Sequence, residues 1–207
     1  MSRIADMTCE EYLDRLASGD ATPGGGAVAA LTGAQAAALL SMVITISAKR
    51  APGGPELSRL EVLAGARSRL LELATQDGAA FAKVMEASRL PDALDEEKSL
   101  RAAALEHALH RATQIPLQVM AEISALWPVL ERVAGSAKTS VLSDAAIAVE
   151  LYGVALSAAR YNVKINLRYL KDESFRAAAI ARCESFFAEH AAQRELLIRT
   201  IDGRLIR

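Results

Sequence analysis

The sequence predicts an all-α protein, a multi-helical bundle of long helices with no sheet. Three observations predict it. Alanine, the strongest helix former, supplies 42 of the 207 residues. Aromatic residues, which mark strands together with the β-branched ones, make up only 4%. Apolar residues also recur at helical spacing over long stretches bounded by glycine and proline. The length fits one domain spanning residues 1–207, and a 52% apolar content is enough for a substantial core.

Each element has its own signal. Thr8 followed by Glu11 is a capping box that opens a short helix to about Ser18. A loop with Pro23 and three glycines leads into a helix over about 26–50, broken by Ala51-Pro52-Gly53-Gly54-Pro55. Leu57, Leu60, Leu63, Leu70, Leu73, Phe81 and Val84 form the apolar face of a third helix ending near Pro91. A fourth runs from about Asp95 to Val133, with Pro116 and Pro128 expected to kink or split it. After a small polar loop, Ser143-Asp144 opens a helix to about Leu170, and Asp172 caps the last one, which ends near Gly203.

Charge and cysteine usage narrow the function. With 24 Lys+Arg against 25 Asp+Glu, the net charge of −1 argues against a binder of nucleic-acid phosphates. Cys9 and Cys183 lie far apart, so neither a disulfide framework nor a zinc site is expected. No secretory leader pattern opens the chain, and a reducing, cytoplasmic setting is the expectation. Residues 21–48 carry no charge, long enough to span a bilayer. Their many small and polar residues favour a helix buried in a bundle or at a subunit interface. Such a helix has more apolar surface than one chain easily covers, so a homodimer is expected and a membrane protein is not.

Several groups are candidates for chemistry. Thr22-Pro23-Gly24-Gly25-Gly26 precedes a helix, where glycines admit close backbone approach and the helix N-terminus favours anions; it could equally be a sharp turn. Asp77 lies mid-helix beside Leu73, Ala80 and Phe81, where a carboxylate should be paired or functional. Asp144 follows Ser143 at a helix start, where a carboxylate caps the helix and favours its dipole. Asn162 and Asn166 share a helix face, although Asn is a poor interior helix former. Asp144 and Asn162 also share a face, but 18 residues separate them, roughly 27 Å along one helix. A long ligand or an antiparallel helix from a second subunit would bring both to one place. His107 and His110, with Glu106 beside them, read as a polar stripe and not as a metal site.

Taken in order, these pieces resemble the cyclodeaminase/methenyltetrahydrofolate cyclohydrolase family. The resemblance covers about residues 8–180. It rests on Ala21 to Gly26 continuing through Val28-Ala29-Ala30-Leu31, on Met42-Val43, and on Asp77 with Ala80-Phe81, Val84-Met85 and Leu90-Pro91. Glu97-Lys98, Arg101, Pro116-Leu117, Ser143-Asp144, Asn162-Val163 and Ile165-Asn166-Leu167 complete it. It implies an all-helical oligomer, commonly a homodimer, that needs no metal or cofactor and takes a tetrahydrofolate derivative as substrate. The implied reaction hydrolyses 5,10-methenyltetrahydrofolate to 10-formyltetrahydrofolate; the alternative is ammonia release from 5-formiminotetrahydrofolate. Asp144 matches the implied acid/base carboxylate, with Asp77 second. Pro23, Gly24, Gly25, Gly26, Arg50, Asn162 and Asn166 match implied substrate-binding positions. Ala27, Ala137, Lys138, Ser140 and Asp92 depart from the family's usual residues, so a non-catalytic scaffold that retains the fold is a further alternative.

Overall fold

The computed structural model describes residues 3–48 and 55–206. Among the described residues seven α-helices carry the fold: α1 (Cys9–Ala17), α2 (Gly25–Ser47), α3 (Pro55–Ser88), α4 (Asp95–Ser124), α5 (Trp127–Ser136), α6 (Leu142–Leu167) and α7 (Glu173–Leu205). Among the described residues there is no strand, as expected for an all-α bundle.

Two of the expected caps are present, whereas α6 starts at Leu142 after Val141, with no side-chain cap from Ser143 or Asp144. The Thr8 hydroxyl accepts from Glu11 N–H at 3.1 Å while the Glu11 carboxylate accepts from Thr8 N–H at 2.7 Å. Asp172 accepts from Phe175 N–H at 3.0 Å and opens α7. The two internal prolines behave differently. The fourth helix divides before Pro128, where α5 takes over, so the described residues form seven α-helices where the sequence marks six. Pro116 stays inside α4.

Helix α2 is the axis of the bundle. It lies antiparallel to α3 on one side and to α6 on the other. Gly25 meets Asn162 at one end of the α2–α6 pair; at the other, Lys138 Nζ donates to Ile46 O at 3.1 Å. Helix α4 closes the inner side, where Ile123 packs on Gly33. Helix α7 crosses the outside of α6 through the Arg160–Glu184 pair. Small residues make this approach possible: Ala27, Ala30, Ala37, Ala145, Ala148, Ala155 and Ala159 are fully buried. Helix α2 and the segment Thr139–Leu167 are each long and apolar enough to cross a membrane. Here they form the centre of the bundle, with one face of each left at the surface.

Candidate functional site

The glycine run is positioned by the start of α2. Pro23 is buried and follows a cis peptide bond. Gly24 is the N-cap, with φ −136° and ψ −160°. That backbone is open to other residues, so the run is required for space and not for a left-handed turn. A Cβ on Gly26 would overlap the Asp77 carboxylate, and one on Gly25 would stand 3.4 Å from Asn162 Oδ1. Three elements therefore converge: the N-terminus of α2, the middle of α3 and the last turns of α6.

Gly24 has no side chain with which to cap α2, and α3 supplies the substitute: the Asp77 carboxylate accepts from Ala27 N–H. The first intrahelical bond runs from Val28 N–H to Gly24 O at 3.1 Å. The N–H groups of Gly25 and Gly26, ahead of it, have no acceptor within the helix and sit at its positive end. Burial pushes the Asp77 carboxyl up to about 6, and the Ala27 N–H pulls it part of the way back. A carboxyl in this range can accept or release a proton near neutral pH.

The two asparagines separate in role. Asn162 donates its amide to Ala158 O at 2.9 Å, one turn back, and its carbonyl oxygen lies beside Gly25. Asn166 donates its amide to Ala112 O of α4 at 2.8 Å. Pro116 lacks the N–H that would have served that carbonyl. The donor group of Asn166 is thus committed to joining α6 to α4.

Asp144 is half-buried in the first turn of α6, the end remote from Asn162. Within one chain it does not join Asp77, Gly25, Gly26 and Asn162. Arg50 lies outside the described residues. His110 stands 3.6 Å from Asp172 and 3.7 Å from Glu106, against the Phe175 ring at 4.0 Å, where it steadies the start of α7. Among the described residues no three His, Cys, Asp or Glu side chains converge as a cation would require.

One feature escaped the reading of the sequence. A groove of about 550 Å³ runs between α3 and α4, lined by Gln76, Lys83, His107 and Arg111 among small residues. Gln76 precedes Asp77 in α3 but turns to α4, and none of Asp77, Gly25, Gly26 or Asn162 lines the groove. Its signal was available in the seven-residue spacing of Gln76 and Lys83 and the four-residue spacing of His107 and Arg111, each marking one helix face. Nothing in the sequence says that those faces oppose each other.

Fold and site define a helical bundle with a perturbed carboxylate at a glycine-lined helix N-terminus, and a separate groove between α3 and α4 that carries Lys83 and Arg111. The chain belongs to the formiminotransferase-cyclodeaminase family, whose model matches residues 8–185. It is 37% identical to a methenyltetrahydrofolate cyclohydrolase of Methylorubrum extorquens, over 96% of this chain and 97% of that protein. It is 32% identical to the mouse formimidoyltransferase-cyclodeaminase, covering 97% of this chain but 38% of that longer protein. The crystal structure of formiminotetrahydrofolate cyclodeaminase from Thermotoga maritima superposes with a TM-score of 0.85 at 28% identity, covering 98% of this chain and 99% of that one.

Proposed function

We propose that the chain is a methenyltetrahydrofolate cyclohydrolase, a cytoplasmic homodimer that uses the folate as substrate and carries no cofactor of its own. The observation that carries this reading is the match to the M. extorquens cyclohydrolase along nearly the whole length of both proteins.

The site suits the reaction. Water adds to the methenyl carbon between the two folate nitrogens, giving a tetrahedral hydroxy adduct. The C–N bond to one nitrogen then breaks, that nitrogen takes a proton, and the formyl group stays on the other. Ionised Asp77 takes the proton of the attacking water, and its protonated form returns one to the departing nitrogen. One proton is released overall, because the methenyl substrate is cationic and the product is not. The N–H groups of Gly25 and Gly26 meet oxygen charge as it develops. The Asn162 carbonyl is placed to hold an N–H of the substrate. The Lys83, His107 and Arg111 walls of the α3–α4 groove suit the carboxylates at the far end of a folate.

The decisive experiment follows the loss of methenyltetrahydrofolate absorbance with purified protein, against the uncatalysed rate. Turnover supports the reading. A second reading, formiminotetrahydrofolate cyclodeaminase, is favoured by the likeness to the T. maritima enzyme. It gives ammonia and a rise in the same absorbance when 5-formiminotetrahydrofolate is supplied. No turnover in either assay and no binding of 5-formyltetrahydrofolate would leave the scaffold alternative.

A further inference from the structure

The end of α6 is where Asn162 meets the start of α2, and α4 holds that end in place. Just past it, the Glu106 carboxylate of α4 accepts from Lys171 N–H at 3.0 Å and from Asp172 N–H at 2.8 Å. Within the last turn, the Asn166 amide donates to Ala112 O at 2.8 Å. That carbonyl has few other choices. Ala112 is 5% exposed, and Ile115, Pro116 and Leu117 beside it are buried. Pro116 brings no N–H, and the Thr113 hydroxyl turns back to Leu109 O at 2.8 Å. A buried carbonyl needs a donor, and α6 supplies it.

Asn162 stands one turn back from Asn166, on the same side of α6. Its amide donates to Ala158 O at 2.9 Å, so its own helix fixes the side chain. Its Oδ1 lies 3.4 Å from where a Cβ on Gly25 would stand. A side chain tied back to its own helix does not swing to follow a ligand. The place of that oxygen at the start of α2 is therefore set by the backbone of α6. Ala112 O, in turn, is held rigid by α4, and the short Asn166 side chain reaches it from one backbone position only. The bond thus pins the last turn of α6, and Asn162 rides on that turn.

We propose that Asn166 is a positioning residue. Its bond to Ala112 O, open to it because residue 116 is proline, sets where Asn162 Oδ1 stands over Gly25 and opposite Asp77. Asn166 serves the substrate through Asn162 and does not touch it. Pro116 and Asn166 then form one device, a gap in the hydrogen bonding of α4 and the side chain that fills it. The effect on a folate rests on the function proposed above; the placing of Asn162 does not.

The test removes the tie while keeping the carbonyl satisfied. In a chain with both Pro116→Ala and Asn166→Ala, residue 116 offers its own N–H to Ala112 O, and only the link to α6 is lost. This variant should melt close to Pro116→Ala alone. Its KM for methenyltetrahydrofolate should nevertheless be about tenfold higher, with kcat little changed, the same split that Asn162→Ala gives. Adding Asn162→Ala to it should raise KM by less than about twofold more, because both changes act through one oxygen. A stable double variant with the KM of Pro116→Ala overturns the proposal. So does a second full tenfold rise in the triple variant, which would put Asn166 on the substrate itself. Two-dimensional nitrogen–proton spectra read the placement without substrate: the Asn162 side-chain amide and the Gly25 backbone amide should shift between Pro116→Ala and the double variant. Signals that stay where they are overturn the proposal. If the wild type turns over no folate, the proposed function falls, and the spectra still decide the positioning.

Discussion

Asn166 supplies the hydrogen bond that Pro116 cannot make. The proline sits in the buried interior of α4 with no N–H for Ala112 O, and the Asn166 amide reaches across from α6 to that carbonyl at 2.8 Å. A proline that would otherwise weaken a helix becomes the reason two helices are joined.

Removing the donor leaves a carbonyl without a partner. Asn166→Ala should cost about 1–3 kcal/mol in urea unfolding. Adding Pro116→Ala restores the backbone N–H and should recover most of the loss. If the two effects simply add, the carbonyl is not what links them.

Asp77→Asn should separate stability from activity. The folded carboxyl titrates at about 6, above its ordinary 3.8. The folded state therefore holds its proton more tightly than the unfolded chain does. The resulting stability is fully present below pH 3.8 and is lost as pH rises through about 6. Asparagine carries no such charge and keeps an oxygen for Ala27 N–H. At pH 7 the variant should be more stable by about 1–2 kcal/mol, allowing for the solvent that still reaches the group. The gain should vanish near pH 4. Thermal melts of both proteins at the two pH values measure it, and an equal difference at both would remove Asp77 as its source.

The same group sets the pH dependence of the reaction. With Asp77 acting as base, kcat/KM should fall about tenfold per pH unit below about 6 and flatten above it. A profile flat from pH 5 to 8 excludes Asp77 from proton transfer in the free enzyme.

Gly26→Ala places a methyl group where the Asp77 carboxylate lies. The protein should fold, because the carboxylate is the end of a movable side chain, but turnover should drop by about 10² as the acid/base group is displaced. Combining Gly26→Ala with Asp77→Ala should restore stability and leave activity low. If turnover survives Gly26→Ala, the carboxylate does not need its present position.

Arg111→Glu tests the groove. Reversing one charge on its wall should raise KM for the folate by about tenfold with little change in kcat, the pattern of a lost binding contact. A fall in kcat at unchanged KM would place Arg111 in the chemistry.

The helices were legible because each carries a local signal. Thr8 with Glu11, Asp172, and the glycines before α2 act within a few residues of where they stand. The convergence of Asp77 with Gly26 was not legible in periodicity, because it depends on how far α3 slides along α2. Only the resemblance brought both into one site. It also gave Asn162 and Asn166 a common role, whereas the structure commits the Asn166 amide to a carbonyl 54 residues away. The distance between Asp144 and Asn162 followed from helix geometry alone, and the fold keeps them at opposite ends of α6.

Gly33 has a reach that its position in the core conceals. A Cβ there would stand 2.9 Å from Ile123 Cγ1 and 3.3 Å from Leu70 Cδ1, so the bare backbone sets how closely α2 rests on its neighbours. Gly26 is only seven residues, roughly 10 Å, back along the same rod. A methyl group at position 33 would tilt or lift that rod by a few tenths of an ångström, and Gly25 and Gly26 would move with it relative to Asp77. Position 33 thus works as an adjusting screw for the cleft: the gap the substrate meets is calibrated two turns away, by a residue the substrate never touches.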